Sequence, residues 1–150
     1  AEVKEALAGV DEEFPSLKGR KPEWAGFLWF QGWNDMFSSP GLAEYEQNLV
    51  YLVKDLRKEF KSPKLPVVIG ELGNGGPKAG ANMLAIRAAQ QAAAERKEFK
   101  GNVKFVSTTA FARPKEESPN VGHGHHWFGN AESYFLIGDA LGKGMLELLD

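Results

Sequence analysis

The stretch FLWFQGWND, residues 27–35, decides the fold. Four apolar residues lead directly into glutamine, glycine, tryptophan, asparagine and aspartate. A short continuous apolar run that ends at a glycine is typical of a strand buried on both faces of a parallel sheet. Open α/β sheets bind ligands at the carboxyl ends of their strands. The polar residues that follow Phe30 therefore predict half of an active site.

Strands and helices alternate through the rest of the chain. Further apolar runs predict strands at about 66–70 and 103–108, and helical spacing of apolar residues predicts helices at about 42–60, 79–99 and 131–149. This alternation predicts an α/β fold, a doubly wound parallel sheet with helices on both faces in three layers. Proline and glycine predict loops at residues 11–23 and 36–41.

Three strands form a thin sheet, and each apolar run indicates a strand buried on both faces. Such a strand is out of place at an exposed edge, so we expect N-terminal strands that this chain lacks. Residues 1–10 have helical spacing but no capping residue in front, which fits the same expectation. We therefore expect residues 1–150 to be the C-terminal part of a single domain. On the last helix, Gly138, Gly142 and Gly144 predict a close approach to the sheet.

Composition narrows the range of functions. A net charge of −2 and an isoelectric point near 6.0 give no basic surface for nucleic acid or an anionic membrane. No apolar run approaches the roughly 20 residues of a membrane-spanning helix. The absence of cysteine excludes disulfides and thiolate catalysis. No motif indicates a cofactor.

A cluster of three histidines, His123, His125 and His126, lies in a loop before the last helix. A metal site, a structural role beneath the loop and a general base are the three alternatives. The spacing contains no i, i+4 pair, and no acidic residue lies within three positions of the cluster. We therefore favour a general base and predict no metal in the site, with a metal-dependent hydrolase kept as the weaker alternative.

Gly32 and Asn34 offer a backbone N–H and a side-chain amide at the end of the first strand. Hydrolysis of an ester places negative charge on the carbonyl oxygen, and such donors stabilise it. A turn held by asparagine and aspartate side chains is the other interpretation. Glu71 opens the glycine-rich segment 71–76, which lacks the phosphate-binding signatures, and we expect its carboxylate to reach substrate or a loop amide.

A nucleophile is not evident. None of the seven serines lies in a strand–turn–helix elbow with flanking glycines. The sequence thus predicts an oxyanion hole and a base without the attacking group.

The segment that contains Gly32 and Asn34 and the segment that contains the histidine cluster, in this order, resemble two sequence blocks of the sialate O-acetylesterase-like family of SGNH-type carbohydrate acetylesterases. Residues 27–35 are similar to the family's W-x-Q-G block, and HWFGNAESY, residues 126–134, is similar to its final histidine block. The resemblance covers about residues 24–149. It implies that Gly32 and Asn34 line the oxyanion hole and that His126 is the catalytic base. We expect the substrate to contact Gln31, Trp33, Glu71 and His125.

The family's serine block has no counterpart here, which implies that an N-terminal segment or a companion chain carries the nucleophilic serine. The places where relatives hold the acid are occupied by His123 and Trp33. Asp35 is therefore the first candidate for the orienting acid and Glu132 the second. His123 stays open as an alternative base.

The resemblance implies a serine esterase that removes O-acetyl groups from carbohydrates, and we expect this chain to be inactive without the serine segment. The family also suggests a secreted or periplasmic protein, although the chain shows no signal peptide. A non-catalytic carbohydrate-binding or scaffold relic of the same fold is the main alternative.

Overall fold

The computed structural model describes residues 2–150. Three strands and five helices, linked by short 3-10 turns, make up the described chain. In order they are α1 Glu2–Ala8, α2 Val10–Glu13, β1 Phe27–Trp29, α3 Ser39–Glu59, β2 Val67–Gly70, α4 Ala81–Ala94, β3 Val103–Val106 and α5 Ala131–Leu149. Among these helices none is both long and apolar enough to cross a membrane.

The three strands form one parallel sheet in the order β1-β2-β3, as the alternation predicts. Leu28 pairs with Val68, which in turn pairs with Lys104. Only β2 is fully buried, whereas Leu28 on β1 is 48% exposed and β3 is partly exposed. The prediction that every strand is buried on both faces is wrong for the two edge strands. Helix α5 packs over β2 and β3 but leaves Leu28 of β1 uncovered, and β3 has a neighbouring strand on one side only. Strands beyond this chain stay a prediction.

Helices cover both faces of the sheet. Val67 and Ile69 point to the face that packs against α3 and α4, and Val68 points to the opposite face, where it meets Ile137 and Leu141 of α5. Successive residues of a strand face opposite ways, so a run of four apolar residues serves two cores. The three-layer α/β architecture is confirmed.

Some boundaries differ from the predicted ones. Helix α3 begins at Ser39, earlier than predicted, because the Ser38 hydroxyl accepts a hydrogen bond from the Gly41 N–H at 3.0 Å and caps the first turn. Helix α4 ends at Ala94 and a separate 3-10 turn follows it. The predicted loop after residue 10 begins with the helical turn Val10–Glu13.

Only one of the three glycines of α5 approaches the sheet. A Cβ on Gly144 would lie 2.7 Å from Cγ2 of Val106, so a larger residue does not fit there. A Cβ on Gly138 or Gly142 would meet nothing within 4 Å in residues 2–150. The prediction of close approach is confirmed for Gly144 and wrong for the other two, which lie on the outer side of α5.

Gly142→Ala and Gly144→Ala are a matched pair on one helix. The first should raise the free energy of unfolding by up to about 1 kcal/mol, because alanine stabilises an exposed helical turn. The second should lower it by about 1–2 kcal/mol, because the added methyl group overpacks the contact with β3. Urea unfolding of both variants measures this, and equal effects would contradict the described packing of α5.

Candidate active site

A pocket of about 330 Å³ lies at the carboxyl end of the sheet. It is bounded by the segments that follow β1 and β2 and by the histidine loop, residues 122–129. Its lining residues are Phe30, Gln31, Gly32, Trp33, Asn34, Leu72, Asn74, His125, His126, Trp127 and Tyr134. The pocket therefore brings together the predicted oxyanion-hole residues and the predicted base, which are far apart in the sequence. Asp35 and Glu71 do not line it.

Gly32 is required where it stands. Its φ is +148°, a conformation that side-chain-bearing residues rarely adopt. A Cβ there would lie 2.9 Å from Cγ2 of Ile86 and 3.0 Å from the Tyr45 hydroxyl. Asn34, by contrast, is exposed, and no hydrogen bond joins its side chain to another part of residues 2–150. Its amide is thus free to bind a ligand in the pocket.

The backbone before Gly32 is held by a buried polar network. The Tyr45 hydroxyl donates to the Gln31 carbonyl at 2.5 Å, and Nε2 of Gln90 donates to the same oxygen at 3.0 Å. Nε1 of Trp29 donates to the Tyr45 hydroxyl at 3.1 Å. Burial raises the pKa of Tyr45, although hydrogen bonds from Trp29 and Gln90 partly oppose this, so the phenol stays a neutral donor.

Helix α4 also holds the segment after β2. The buried guanidinium of Arg87 donates to three backbone carbonyls, those of Leu72 at 2.9 Å, Asn74 at 2.9 Å and Gly76 at 3.0 Å. Oε1 of Gln90 accepts the Leu72 N–H at 2.8 Å. Two side chains one turn apart on α4 thus fix the backbone at the ends of both β1 and β2.

Glu71 joins the end of β2 to the end of β3. Its Oε2 accepts hydrogen bonds from the Ser107 hydroxyl at 2.5 Å and from the backbone N–H groups of Thr108 at 2.8 Å and Thr109 at 3.0 Å. The carboxylate is 8% exposed and lies outside the pocket. Of the two expected partners, the loop amide is the one found. The expected substrate contact stays a prediction.

The pKa of Glu71 reflects this arrangement. Burial alone would raise the pKa, but the hydrogen bonds from Ser107, Thr108 and Thr109 outweigh burial and lower it. Hydrogen bonds to the ionised form favour that form. Glu71 is therefore a charged structural acceptor.

The histidine loop has an unusual backbone. Trp127 and Phe128 both adopt left-handed conformations, with φ of +51° and +54°. Each such residue costs about 1–2 kcal/mol relative to the right-handed form. The buried Trp127 ring belongs to the hydrophobic cluster that also contains Ile137 and Leu141 of α5. It stacks on Phe30, with the ring centroids 6.2 Å apart. Burial of this indole stabilises a turn that the backbone by itself disfavours.

Two side chains connect the histidine loop to the sheet and to α5. Nδ2 of Asn74 donates to the Gly124 carbonyl at 2.9 Å and to the His125 carbonyl at 3.4 Å. The Tyr134 hydroxyl donates to the His126 carbonyl at 2.9 Å. Sequence reasoning missed Asn74 as a site residue because the glycine-rich segment 71–76 matches no phosphate-binding signature. An asparagine four residues after the end of a buried strand was the available signal.

The Asn74 side chain leaves one polar atom unused. Its Oδ1 is buried and has no hydrogen-bond partner among residues 2–150. Buried acceptors of this kind are rare and call for a partner.

Neither candidate acid contacts an imidazole. Oδ2 of Asp35 accepts the Gln31 side-chain amide at 2.9 Å. Glu132 makes a two-point ion pair with Arg113, at 2.9 and 3.0 Å. Within residues 2–150 no hydrogen bond or ion pair joins a carboxylate to a histidine side chain. The identity of the orienting acid stays a prediction.

A second, larger pocket of about 510 Å³ adjoins the first. The two share Trp33 and Asn74 as lining residues. Phe37 and Phe128 add aromatic surface, and Phe37 is 70% exposed. The Trp33 ring lies edge-on to Phe37 at 6.0 Å and 5.7 Å from the His125 ring. Such a wall of rings is suited to the apolar face of a sugar.

The three histidines are also close enough to consider a metal. One ligand atom from each lies within 4.8 Å of the other two, and all three side chains are exposed. None of the seven serines lines the histidine pocket. Among the described residues, the pocket lining thus offers groups suited to a base and to oxyanion donors, and it contains no serine.

Comparison with protein families agrees with the family resemblance inferred from the sequence. A family model described as "Carbohydrate esterase, sialic acid-specific acetylesterase" matches residues 10–146, almost the whole chain. Neither a curated protein nor a solved structure matches the chain. The family resemblance predicted from the sequence is confirmed.

Arg87→Met tests the buried network on α4. The substitution keeps the apolar stem but leaves three buried carbonyls without their donors, so it should lower the free energy of unfolding by about 3–5 kcal/mol. Arg96→Met is the matched control, because Arg96 forms a half-exposed ion pair with Glu46, and it should cost less than about 1 kcal/mol. Similar costs in urea unfolding would contradict the assigned role of Arg87.

The pH dependence of the stability of Glu71→Gln tests whether Glu71 acts as a charged acceptor. Because the folded pKa of Glu71 is lowered from 4.5, its stabilisation is fully present above that value and is lost as pH falls through the folded pKa. The variant should be less stable than the parent chain at neutral pH, and the difference should shrink in acid. Unfolding titrations from pH 7 down to about 3 measure it. A difference that stays constant with pH would contradict this role.

Proposed function

Because the chain belongs to the sialic acid-specific acetylesterase family of carbohydrate esterases, we propose that its pocket hydrolyses O-acetyl esters of carbohydrates. One observation carries the proposal further than family membership. The same pocket is lined by Gly32, Asn34 and His126. These residues offer the two kinds of group, oxyanion donors and a base, that ester hydrolysis requires.

In the proposed mechanism, a serine attacks the acetyl carbonyl while His126 takes the proton from its hydroxyl. The Gly32 N–H and the Asn34 amide hold the oxygen that becomes negatively charged. His126 then returns the proton to the departing sugar oxygen. A water molecule, activated by the same histidine, releases acetate from the serine.

The buried network gives this oxyanion hole its preorganisation. Hydrogen bonds from Tyr45 and Gln90 fix the Gln31 carbonyl, and thereby the orientation of the peptide that carries the Gly32 N–H. Donors that are already oriented cost no reorganisation during the reaction. The Tyr134 hydrogen bond to the His126 carbonyl fixes the base in the same way.

The nucleophile is proposed to come from outside the described pocket lining, from an N-terminal segment or a companion chain. All seven serines of the chain lie elsewhere, and several have structural partners. Ser38 caps α3, Ser107 binds Glu71, and Ser133 donates to the Phe111 carbonyl. Asp35 remains the first candidate for the orienting acid, since it follows Asn34 directly.

The acetylated carbohydrate is proposed to lie across both pockets. Trp33 forms their shared wall and offers a stacking surface for a sugar ring. Gln31 and His125 supply polar groups at the first pocket. A non-catalytic carbohydrate-binding protein is the second candidate, favoured by the absence of a serine from the pocket lining.

Matched asparagine variants test the oxyanion hole in the protein that carries the serine segment. Asn34→Ala should lower kcat for acetate release from an O-acetylated sugar by about 10²–10³-fold, because one donor to the oxyanion is lost. Asn48→Ala, exposed on α3, should leave kcat unchanged. An equal effect of both changes, or none of either, would remove Asn34 from the mechanism.

The 150-residue chain by itself tests the source of the nucleophile. It should not hydrolyse p-nitrophenyl acetate with saturable kinetics. Saturable hydrolysis that disappears in His126→Ala would show that the chain holds its own nucleophile. Sugar binding without acetate release by the longer protein would favour the non-catalytic candidate.

A further inference from the structure

We infer that His123, His125 and His126 form a binding site for a late divalent transition metal such as Zn²⁺, and that a metal bound there inhibits the proposed esterase. The metal site stands on the geometry of the loop alone. Its inhibitory effect rests on the proposed function, in which His126 is the base.

The turn brings the three imidazoles together although their spacing fits no helix. The ring centroids of His125 and His126 are 4.1 Å apart. The His123 ring centroid lies 5.3 Å from that of His125 and 6.2 Å from that of His126. One ligand atom from each side chain lies within 4.8 Å of the others. Tetrahedral Zn²⁺ with bonds of about 2.0–2.1 Å needs its nitrogens about 3.3 Å apart. Rotation of three exposed side chains can close that gap.

The backbone beneath the cluster is already fixed. The His123 carbonyl accepts the N–H groups of His126 and Phe128, both at 3.0 Å. The His125 carbonyl accepts from Asn74, and the His126 carbonyl accepts from Tyr134. In residues 2–150 no hydrogen bond uses an imidazole nitrogen of the cluster. The structure thus orders the main chain and leaves the ligand atoms free, an arrangement that lowers the entropic cost of binding a metal.

The chemistry of the ligand set selects the metal. Three imidazoles suit Zn²⁺, Cu²⁺ or Ni²⁺ and do not suit Mg²⁺ or Ca²⁺, which prefer oxygen ligands. Three histidines leave the fourth position of a tetrahedral zinc for water. The chain has no cysteine and no histidine outside the cluster. No other imidazole and no thiolate of the chain competes with these residues for zinc.

Metal binding and general-base catalysis exclude each other at His126. A nitrogen that donates its lone pair to Zn²⁺ cannot accept the proton of a serine hydroxyl. An ion held by the cluster would also occupy space beside the pocket lined by His125 and His126. Zinc should therefore lower the rate of acetate release.

Isothermal titration calorimetry of the chain with ZnCl₂ in a non-chelating buffer tests the site. One Zn²⁺ should bind per chain, and His123→Asn, His125→Asn and His126→Asn should each weaken binding by at least about tenfold. Glu132→Gln is the control for nearby carboxylates and should bind as the parent chain does. Absence of saturable binding, or unchanged affinity in two of the three histidine variants, would overturn the site.

Acetate release by the serine-carrying protein tests inhibition separately. Zinc should inhibit with the affinity measured by calorimetry, EDTA should reverse the effect, and His123→Asn should reduce sensitivity to zinc by the factor by which it weakens binding. Activation by zinc would overturn the inhibition and favour a metal-dependent hydrolase. Zinc binding by a protein that never releases acetate, with or without the metal, would support the site and overturn the proposed function.

Discussion

The site depends on two polar side chains that helix α4 buries against the sheet. Arg87 gives its donors to three carbonyls after β2, and Gln90 binds the Leu72 N–H on one side and the Gln31 carbonyl on the other. A buried polar network stabilises a unique arrangement only when its members are satisfied. Here the donors and acceptors match, so the ends of β1 and β2 are held relative to each other.

The rest of the pocket is built onto this fixed base. The Asn74 carbonyl accepts a hydrogen bond from Arg87, and the Asn74 side-chain amide donates to the Gly124 carbonyl. Asn74 thereby connects the histidine loop to the fixed backbone after β2. Trp127 secures the same loop on the α5 side, where burial of its indole offsets a left-handed backbone. The side chains proposed to do chemistry, those of Asn34 and His126, are exposed, whereas Tyr45, Arg87 and Gln90, which hold the strand ends, are buried. This division fits a site whose reacting side chains must meet a substrate.

Much of the fold could be predicted from the sequence, because the apolar runs FLWF at residues 27–30 and VVIG at 67–70 indicate strands, although only the second is buried on both faces. The pairing of the Gly32 segment with His126 could also be predicted, since both follow elements that end at one edge of the sheet. Arg87 could not be placed, because a charged residue in an alanine-rich helix usually faces water, and for Glu71 the contact with a loop amide could be predicted but its burial could not. Only the three-dimensional position of backbone carbonyls and amides shows why they are buried.

The most direct measurement is amide hydrogen exchange, followed by NMR, in a Gln90→Leu variant. The loss of the Gln90 side-chain amide should speed exchange of the Leu72 N–H by at least about tenfold relative to the amides of α5, and should shift the resonances of Gly32 and Asn34. Both strand ends would then be shown to depend on one side chain of α4. Unchanged exchange at Leu72, with Gly32 and Asn34 unperturbed, would contradict that dependence.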